Sequence, residues 1–528
     1  MFPFQEKFDL GMAQYKVTDF GGDSIVENWF PGNDRGSGLG ACQQERQWQE
    51  GPVVSGDHDI LDEFVFNAMS PSFQICFGDV SGEGVPVAAA ENAASLEAQD
   101  PTPILPEDEE SQALSVEEII EVAAARFIQM CSLDVDLVSK LGLPLNLSDQ
   151  ESQDVHLVEL LLLSAEKVHY QQFDRASKLL AQLSPLCPKD GNTVERLVHY
   201  FSRGLRERID RETGRMSYKE YGRKRTFAPR GDVMIMANCI AFHQGTPFLQ
   251  VAQFTGVQAI VDAALNAERI HVIDLQIGSG VQWTALIQAL ASRGARKVEL
   301  LKITALGMSA KKLVDGTGNR LTRFAKSLNI PFEFRVVVVQ DILDLRKENF
   351  ALGPEETVMV YAQFFLRTLI SQPDRLEALM KVIRSIAPRR MVVTEVEANH
   401  NSPAFVDRFI ECLFYHGMLF DCMETLMDKK DTRMSVETGH FLPAIKNMIA
   451  TEGEERKYRN VKVDVWKAFF SLFHMTEVEL SDAALYQARL IAEQFCGGKF
   501  CTLESKGKSL IFSWKGTPVQ SISVYGFA

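Results

Sequence analysis

From residue 270 onward, short apolar, β-branched runs alternate with longer segments of helical period, and this alternation constrains the fold more than any other property of the chain. Residues 270–275, 299–303, 334–339, 358–362 and 391–395 read as strands. Between them, residues 283–291, the stripe Val314, Leu321, Phe324, Ala325 and Leu328, and residues 373–386 read as helices. Strands joined through helices pair in parallel, because a parallel connection needs a long crossover to return to the same sheet edge. The expected architecture is therefore α/β: a mostly parallel sheet with helices on both faces. Three closely spaced runs at 500–504, 509–514 and 521–525 read as antiparallel additions to that sheet.

Upstream, helical patterning begins near Val116, where Ser115 and Glu118 have the spacing of a capping box. A helix pair at 154–184 lines up Leu157, Leu160, Leu161, Ala165 and Val168, then Phe173, Ala176, Leu179, Leu180 and Leu183. Leu157, Leu160 and Leu161 also spell L-x-x-L-L, a pattern that docks a helix in a partner's groove. A leucine-rich helix produces the same spacing for core or dimer packing. These features divide the chain into a tail at 1–114 and one large domain at 115–528, with a helical cap at 115–255 and an α/β core at 256–528.

Charge separates the same two parts. Residues 1–115 hold 21 acidic and 4 basic side chains, so the whole acidic excess lies there. With no sustained period, this tail is expected to be mostly disordered. Its mixed acidic and bulky stretches, Trp29-Phe30 and residues 60–66, suit either partner binding or passive solubilisation. Residues 203–230 carry ten basic and four acidic side chains, including Arg223-Lys224-Arg225 beside Gly222. That cluster suits nuclear import or a phosphate contact, or else a solvated helix and loop. Nine cysteines without a C-x-x-C pair read as reduced thiols of a cytosolic or nuclear protein. No apolar run approaches the roughly 20 residues of a membrane span, and no secretory leader or zinc-type Cys/His spacing stands out.

The chemistry-bearing candidate is the strand Ile270-His271-Val272-Ile273-Asp274 running into Gly278-Ser279-Gly280, with Gln282 and Trp283 opening a helix. Glycines there permit a tight turn, and the helix N-terminus presents free N–H groups. The segment resembles the first motif of S-adenosylmethionine-dependent methyltransferases. Such enzymes hold the ribose through a carboxylate ending the second strand, and here Leu301 to Gly307 supplies none. The turn Gly278, Gly280 is therefore read as vestigial, with no cofactor expected. Asp341, after the third strand, remains a candidate for an adenine amine. His271 and Asp274, three apart on a strand, face opposite ways and form no dyad. Asp274 is placed to tie down the loop. Glu395 and Glu397 read as a surface carboxylate pair or loop anchors. G-x-S-x-G and G-x-x-x-x-G-K-[ST] are both absent from the sequence.

The ordered set of segments resembles the plant GRAS family of transcriptional regulators over residues 155–528. The leucine-rich helices match its first leucine-rich region, Ile270 to Asp274 with Gly280, Gln282 and Trp283 its central V-H-I-I-D motif, and residues 309–345 its second leucine-rich region. Phe405, Arg408, Phe409, Phe420 and Asp421 match its P-F-Y-R-E region. Glu452-Gly453, Arg456, Arg459, Trp466 and Trp514 match its S-A-W region. The chain departs from the pattern at residues 441–447, at Ser523-Val524-Tyr525, and at Tyr458, which stands in place of a usual glutamate. The Asp-Glu-Leu-Leu-Ala and Val-His-Tyr-Asn-Pro motifs of gibberellin-sensing members are absent. The resemblance implies a Rossmann-like, methyltransferase-type core under a helical cap, and a nuclear, non-enzymatic regulator. Its expected partners are other GRAS-like chains as homo- or heterodimers and DNA-bound transcription factors, with direct DNA contact open. Development, hormone and symbiosis signalling are the settings it implies. The alternative is a methyltransferase-like enzyme resting on Gly278-Ser279-Gly280.

Overall fold

The computed structural model describes residues 114–131, 142–144, 146–215, 229–293, 297–307 and 311–527. The acidic stretches at 29–30 and 60–66 and the Arg223-Lys224-Arg225 cluster lie outside these residues.

Among the described residues, six helices precede the first strand: α1 (Val116–Cys131), α2 (Asp149–His169), α3 (Phe173–Leu186), α4 (Thr193–Glu212), α5 (Pro229–Gly245) and α6 (Pro247–Ala263). Local chemistry sets their starts. Ser115 and Glu118 bond each other's backbone N–H groups at α1, and Ser148–Glu151 and Asn192–Glu195 repeat the capping box at α2 and α4. Helix α6 runs without a break through residue 255 and lies on the sheet. A Cβ on Gly256 would sit 3.1 Å from both Tyr361 and Val392, so the absent side chain sets how closely this helix approaches.

The α/β part follows as β1 (Arg269–Asp274), α7 (Val281–Ala291), β2 (Leu300–Gly307), α8 (Lys311–Ser327), β3 (Phe332–Val338), β4 (Thr357–Gln363), α9 (Pro373–Ile386) and β5 (Arg390–Val396). Then come α10 (Phe405–Leu426), α11 (Lys430–Val436), a π-helical turn (Glu437–Phe441), α12 (Leu442–Ile449), α13 (Val463–Ser471), β6 (Met475–Val478), α14 (Asp482–Gln494), β7 (Cys501–Lys506), β8 (Ser509–Trp514) and β9 (Thr517–Phe527). The strand order is β3-β2-β1-β4-β5-β9-β8-β7, with β6 also on β9. Strands β1 to β5 pair in parallel, and β6 to β9 add antiparallel, as the short connections at the C-terminus require. The fold is the expected Rossmann-like α/β arrangement. The short strand β6 was not visible in the sequence pattern.

Burial explains the pairing. Strands β1 and β2 are buried on both faces after their first residue, whereas edge strand β3 alternates. Ile270, Val272, Ile303 and Val392 face the core shared with α6, α7 and the cap. Ile273, Leu275, Val360 and Val393 face the core shared with α9 and α13. The order of strands reverses direction between β1 and β4, and the C-terminal ends of these two strands form the switch point where open α/β sheets place ligand groups.

Candidate functional site

At β1 the two tempting polar residues go separate ways. His271 is fully buried, with Nδ1 2.9 Å from Glu356 and Nε2 2.8 Å from the Thr304 hydroxyl. Lys302 Nζ bonds the same Glu356 at 3.2 Å and the Ala351 carbonyl. This cluster joins β1, β2 and the approach to β4, with a neutral imidazole beside a buried ion pair. Burial, reinforced by Lys302, lowers the His271 pKa to about 4. The unfolded chain would bind that proton near pH ~6.5. The group's stabilising contribution is therefore complete above about pH 6.5 and is lost as pH falls towards 4. The ring protons of His271 are expected to titrate near pH 4 by NMR; a midpoint above 6 contradicts this.

Asp274 turns to the other side. Its carboxylate accepts from the Gln276 N–H (2.9 Å), Gln282 Nε2 (3.2 Å) and Trp283 Nε1 (2.8 Å). It ties the loop and the start of α7 to the strand end. Gly278 and Gly280 have φ of +54° and +69°, a left-handed turn that glycine adopts without strain. The turn is clamped by α8: Thr317 donates to the Gly278 carbonyl and Arg320 to the Ser279 carbonyl. A Cβ on Gly280 would lie 2.5 Å from Thr317, so close packing of α8 is what demands glycine there. Asp341 is engaged as well, gripped by Arg375 through Nε at 2.8 Å and Nη2 at 2.5 Å. The adenine contact considered for it is corrected accordingly, since both oxygens already face a guanidinium.

Across the switch point lies a polar group that no motif announced. Gln363 ends β4, and its carbonyl faces Tyr361 OH (3.3 Å) and Gln253 Nε2 (3.5 Å), while Gln253 meets His243 Nε2 at 2.9 Å. Phe364 follows in a left-handed conformation, φ +53°, rare for a bulky residue. Arg367 bonds the Phe364 carbonyl and Asn460, and its guanidinium lies 5.2 Å from the Phe364 ring and 5.3 Å from the Tyr458 ring. Glu395 accepts the Arg367 backbone N–H and is raised by burial to about 7. Glu397 accepts from the Val463 N–H and pairs with Lys506. Both act as anchors, but both are buried, which corrects the surface reading. Only chain folding brings these groups together, so spacing in sequence gave no signal.

The π-helical turn packs against α4 and α5. Pro443 has no N–H to donate back to Gly439, and Leu442 N–H bonds Glu437 instead, which widens the turn. Arg196 holds Glu437 at 3.0 Å and Tyr200 meets Thr438 at 3.0 Å. His440 stacks on Phe242 at 5.8 Å.

The C-terminal motif residues are structural ties. Arg408 is completely buried and donates to the carbonyls of Met448 (2.9 Å) and Ser402 (2.7 Å) and to Glu452. Arg208 of α4 reaches the same Glu452 at 2.7 Å. Arg456 donates to Ser402, and Arg459 to the Gly453 carbonyl and Asn401. Trp466 is buried among Phe469, Phe470 and their neighbours. Trp514 Nε1 donates to Asp421 at 2.8 Å, joining β8 to α10.

With this geometry in place, the comparisons decide the lineage: the GRAS domain family matches residues 157–525. The chain belongs to that family. DELLA protein RGL1 of Arabidopsis thaliana is 31% identical over 382 residues, covering 71% of each chain. DELLA protein 2 of Medicago truncatula is 32% identical over 403 residues, covering 75% of this chain and 72% of its own. The crystal structure of SCL7 in Oryza sativa aligns with a TM-score of 0.61 at 26% identity, covering 70% of this chain and 99% of that one.

Within this GRAS domain, Leu157 and Leu161 are fully buried in the chain's own helical layer and Leu160 packs half-buried against it. Among the described residues, no helix is long and apolar enough to cross a membrane, and no group of three or more His, Cys, Asp or Glu is placed to hold a metal.

Proposed function

We propose that this GRAS-domain chain is a nuclear regulator of transcription that works through protein partners rather than through chemistry of its own. Membership over residues 157–525 carries the reading, together with relatives among plant DELLA proteins. The partners in this reading are other GRAS-like chains, as homo- or heterodimers, and DNA-bound transcription factors. Arg223, Lys224 and Arg225 serve nuclear import or a direct phosphate contact.

The full-length chain expressed in plant cells should accumulate in nuclei, associate with chromatin and change reporter output. Arg223→Ala, Lys224→Ala and Arg225→Ala together should lower nuclear accumulation or salt-sensitive DNA association. A strictly cytosolic chain without effect on transcription overturns the proposal.

A further inference from the structure

Strand β3 ends the sheet, and its outer side is open to pairing. The Leu301 N–H bonds the Pro331 carbonyl, and Leu301 stands level with Phe332. In a parallel ladder that phase turns the backbone groups of Glu333, Arg335 and Val337 towards β2. Those of Phe332, Phe334, Val336 and Val338 therefore point away from the sheet, and among the described residues no strand takes them up. We propose that this edge pairs with β3 of a second copy of the chain, antiparallel about a two-fold axis at Phe334. The pairing gives a surface to the homodimer of the proposed function and rests on that reading.

The strand's own sequence identifies the occupant. With Phe334 opposite itself, Glu333 faces Arg335 of the partner subunit, and Arg335 faces Glu333 of the partner subunit. Phe332 then meets Val336 of the partner subunit, Pro331 meets Val337 of the partner subunit, and Ile330 meets Val338 of the partner subunit. Each charge lies against its opposite and each apolar side chain against another. The backbone agrees with this register, because the outward-facing positions 332, 334 and 336 fall opposite one another as hydrogen-bonded pairs. Glu333 and Arg335 fall at the intervening positions, where opposed Cα atoms approach to about 4.5 Å. A two-fold interface needs a surface complementary to itself, and residues 330–338 meet that condition.

Charged side chains on an edge strand usually discourage pairing. Here they select one register. Sliding the partner by two residues sets Glu333 against its own copy, or Arg335 against its own copy, and like charges directly opposite are destabilising. A larger slide leaves Glu333 opposite Val339 or Pro331. Both charged side chains are exposed, and within one chain their charged atoms come only to 3.9 Å, so each is open to a closer partner. Val338 is 56% exposed, and the register covers it with Ile330 of the partner subunit. The Phe334 ring packs against α8, where a Cβ on Gly318 would lie 2.2 Å from it, so β3 is held firmly where the axis passes. The opposite edge of the sheet, β7, offers no such match, since Lys506 already pairs with Asp464 at 2.7 Å and with Glu397.

Sedimentation velocity of the full-length chain over a concentration series tests the register. One strand per copy makes a small interface, so the dimer should form with a Kd of about 10 µM. Glu333→Arg alone should weaken it at least about tenfold by facing Arg against Arg, and Arg335→Glu alone should do the same by facing Glu against Glu. An equimolar mixture of the two variants rebuilds both ion pairs in a heterodimer and should return to within about threefold of the unaltered chain. Both reversals in one chain should restore the homodimer equally. A chain still monomeric at about 100 µM, a dimer indifferent to the single reversals, or reversals that the mixture does not rescue would overturn the assignment. If a single variant fails to fold by circular dichroism, the chain with both reversals decides. A dimer indifferent to the reversals sinks this edge and leaves the regulatory reading standing, because nuclear accumulation and reporter output are measured separately.

Discussion

Replacing Arg408 by methionine should lower folding stability by about 2–5 kcal/mol. The side chain is completely buried, and its guanidinium serves the carbonyls of Met448 and Ser402 together with Glu452. Methionine fills most of the volume and supplies none of the donors. The Met448 carbonyl would lose its donor at roughly 1–3 kcal/mol, while the Ser402 carbonyl keeps only the longer bond from Arg456, at 3.2 Å. Glu452 is partly exposed and keeps Arg208, so its share of the loss is small. Lysine would rescue little, because one ammonium cannot face three acceptors held in a planar fork. Since a whole domain holds only about 5–15 kcal/mol, this single loss is severe. Denaturant unfolding followed by circular dichroism should show a lower midpoint at an unchanged slope. A shift below about 0.5 kcal/mol would mean these contacts are dispensable.

Trp283→Ala should cost about 3–5 kcal/mol for a different reason. The indole is fully buried at the start of α7, edge-on to Tyr361 at a centroid distance of 5.0 Å, and its N–H bonds Asp274. Alanine opens a cavity at the junction of α7, β1 and β4 and also removes one of three donors from a buried carboxylate. Trp283→Phe separates the two effects. It keeps most of the volume and should cost only the lost hydrogen bond, about 1–3 kcal/mol. Equal destabilisation by Ala and Phe would show that the Asp274 contact, not packing, dominates. The two variants also bear on the polar group at the end of β4, since Tyr361 meets both Trp283 and Gln363.

The motif residues singled out from sequence turn largely inward. Arg456, Arg459, Trp466 and Trp514 are all buried, and Leu157 and Leu161 fill the cap's own core. These residues therefore build the interior of the domain and not its surface. The polar group around Gln363 shows the opposite case: its members lie far apart in the chain, on α5, α6 and β4. Short-range spacing cannot announce such a site, because helix and strand periods describe only neighbours within one element.

Sequence by itself determined the alternation of strands and helices from residue 270, the antiparallel C-terminal strands, the capping box at Ser115 and the opposite facing of His271 and Asp274. Each is a local consequence of side-chain period or backbone geometry. Only the tertiary structure decided why Gly280 is glycine, where Asp341 is spent, and that α6 meets the sheet at Gly256. Those outcomes depend on which surfaces come within a few ångströms of one another, a property of packing between distant segments that no local period encodes.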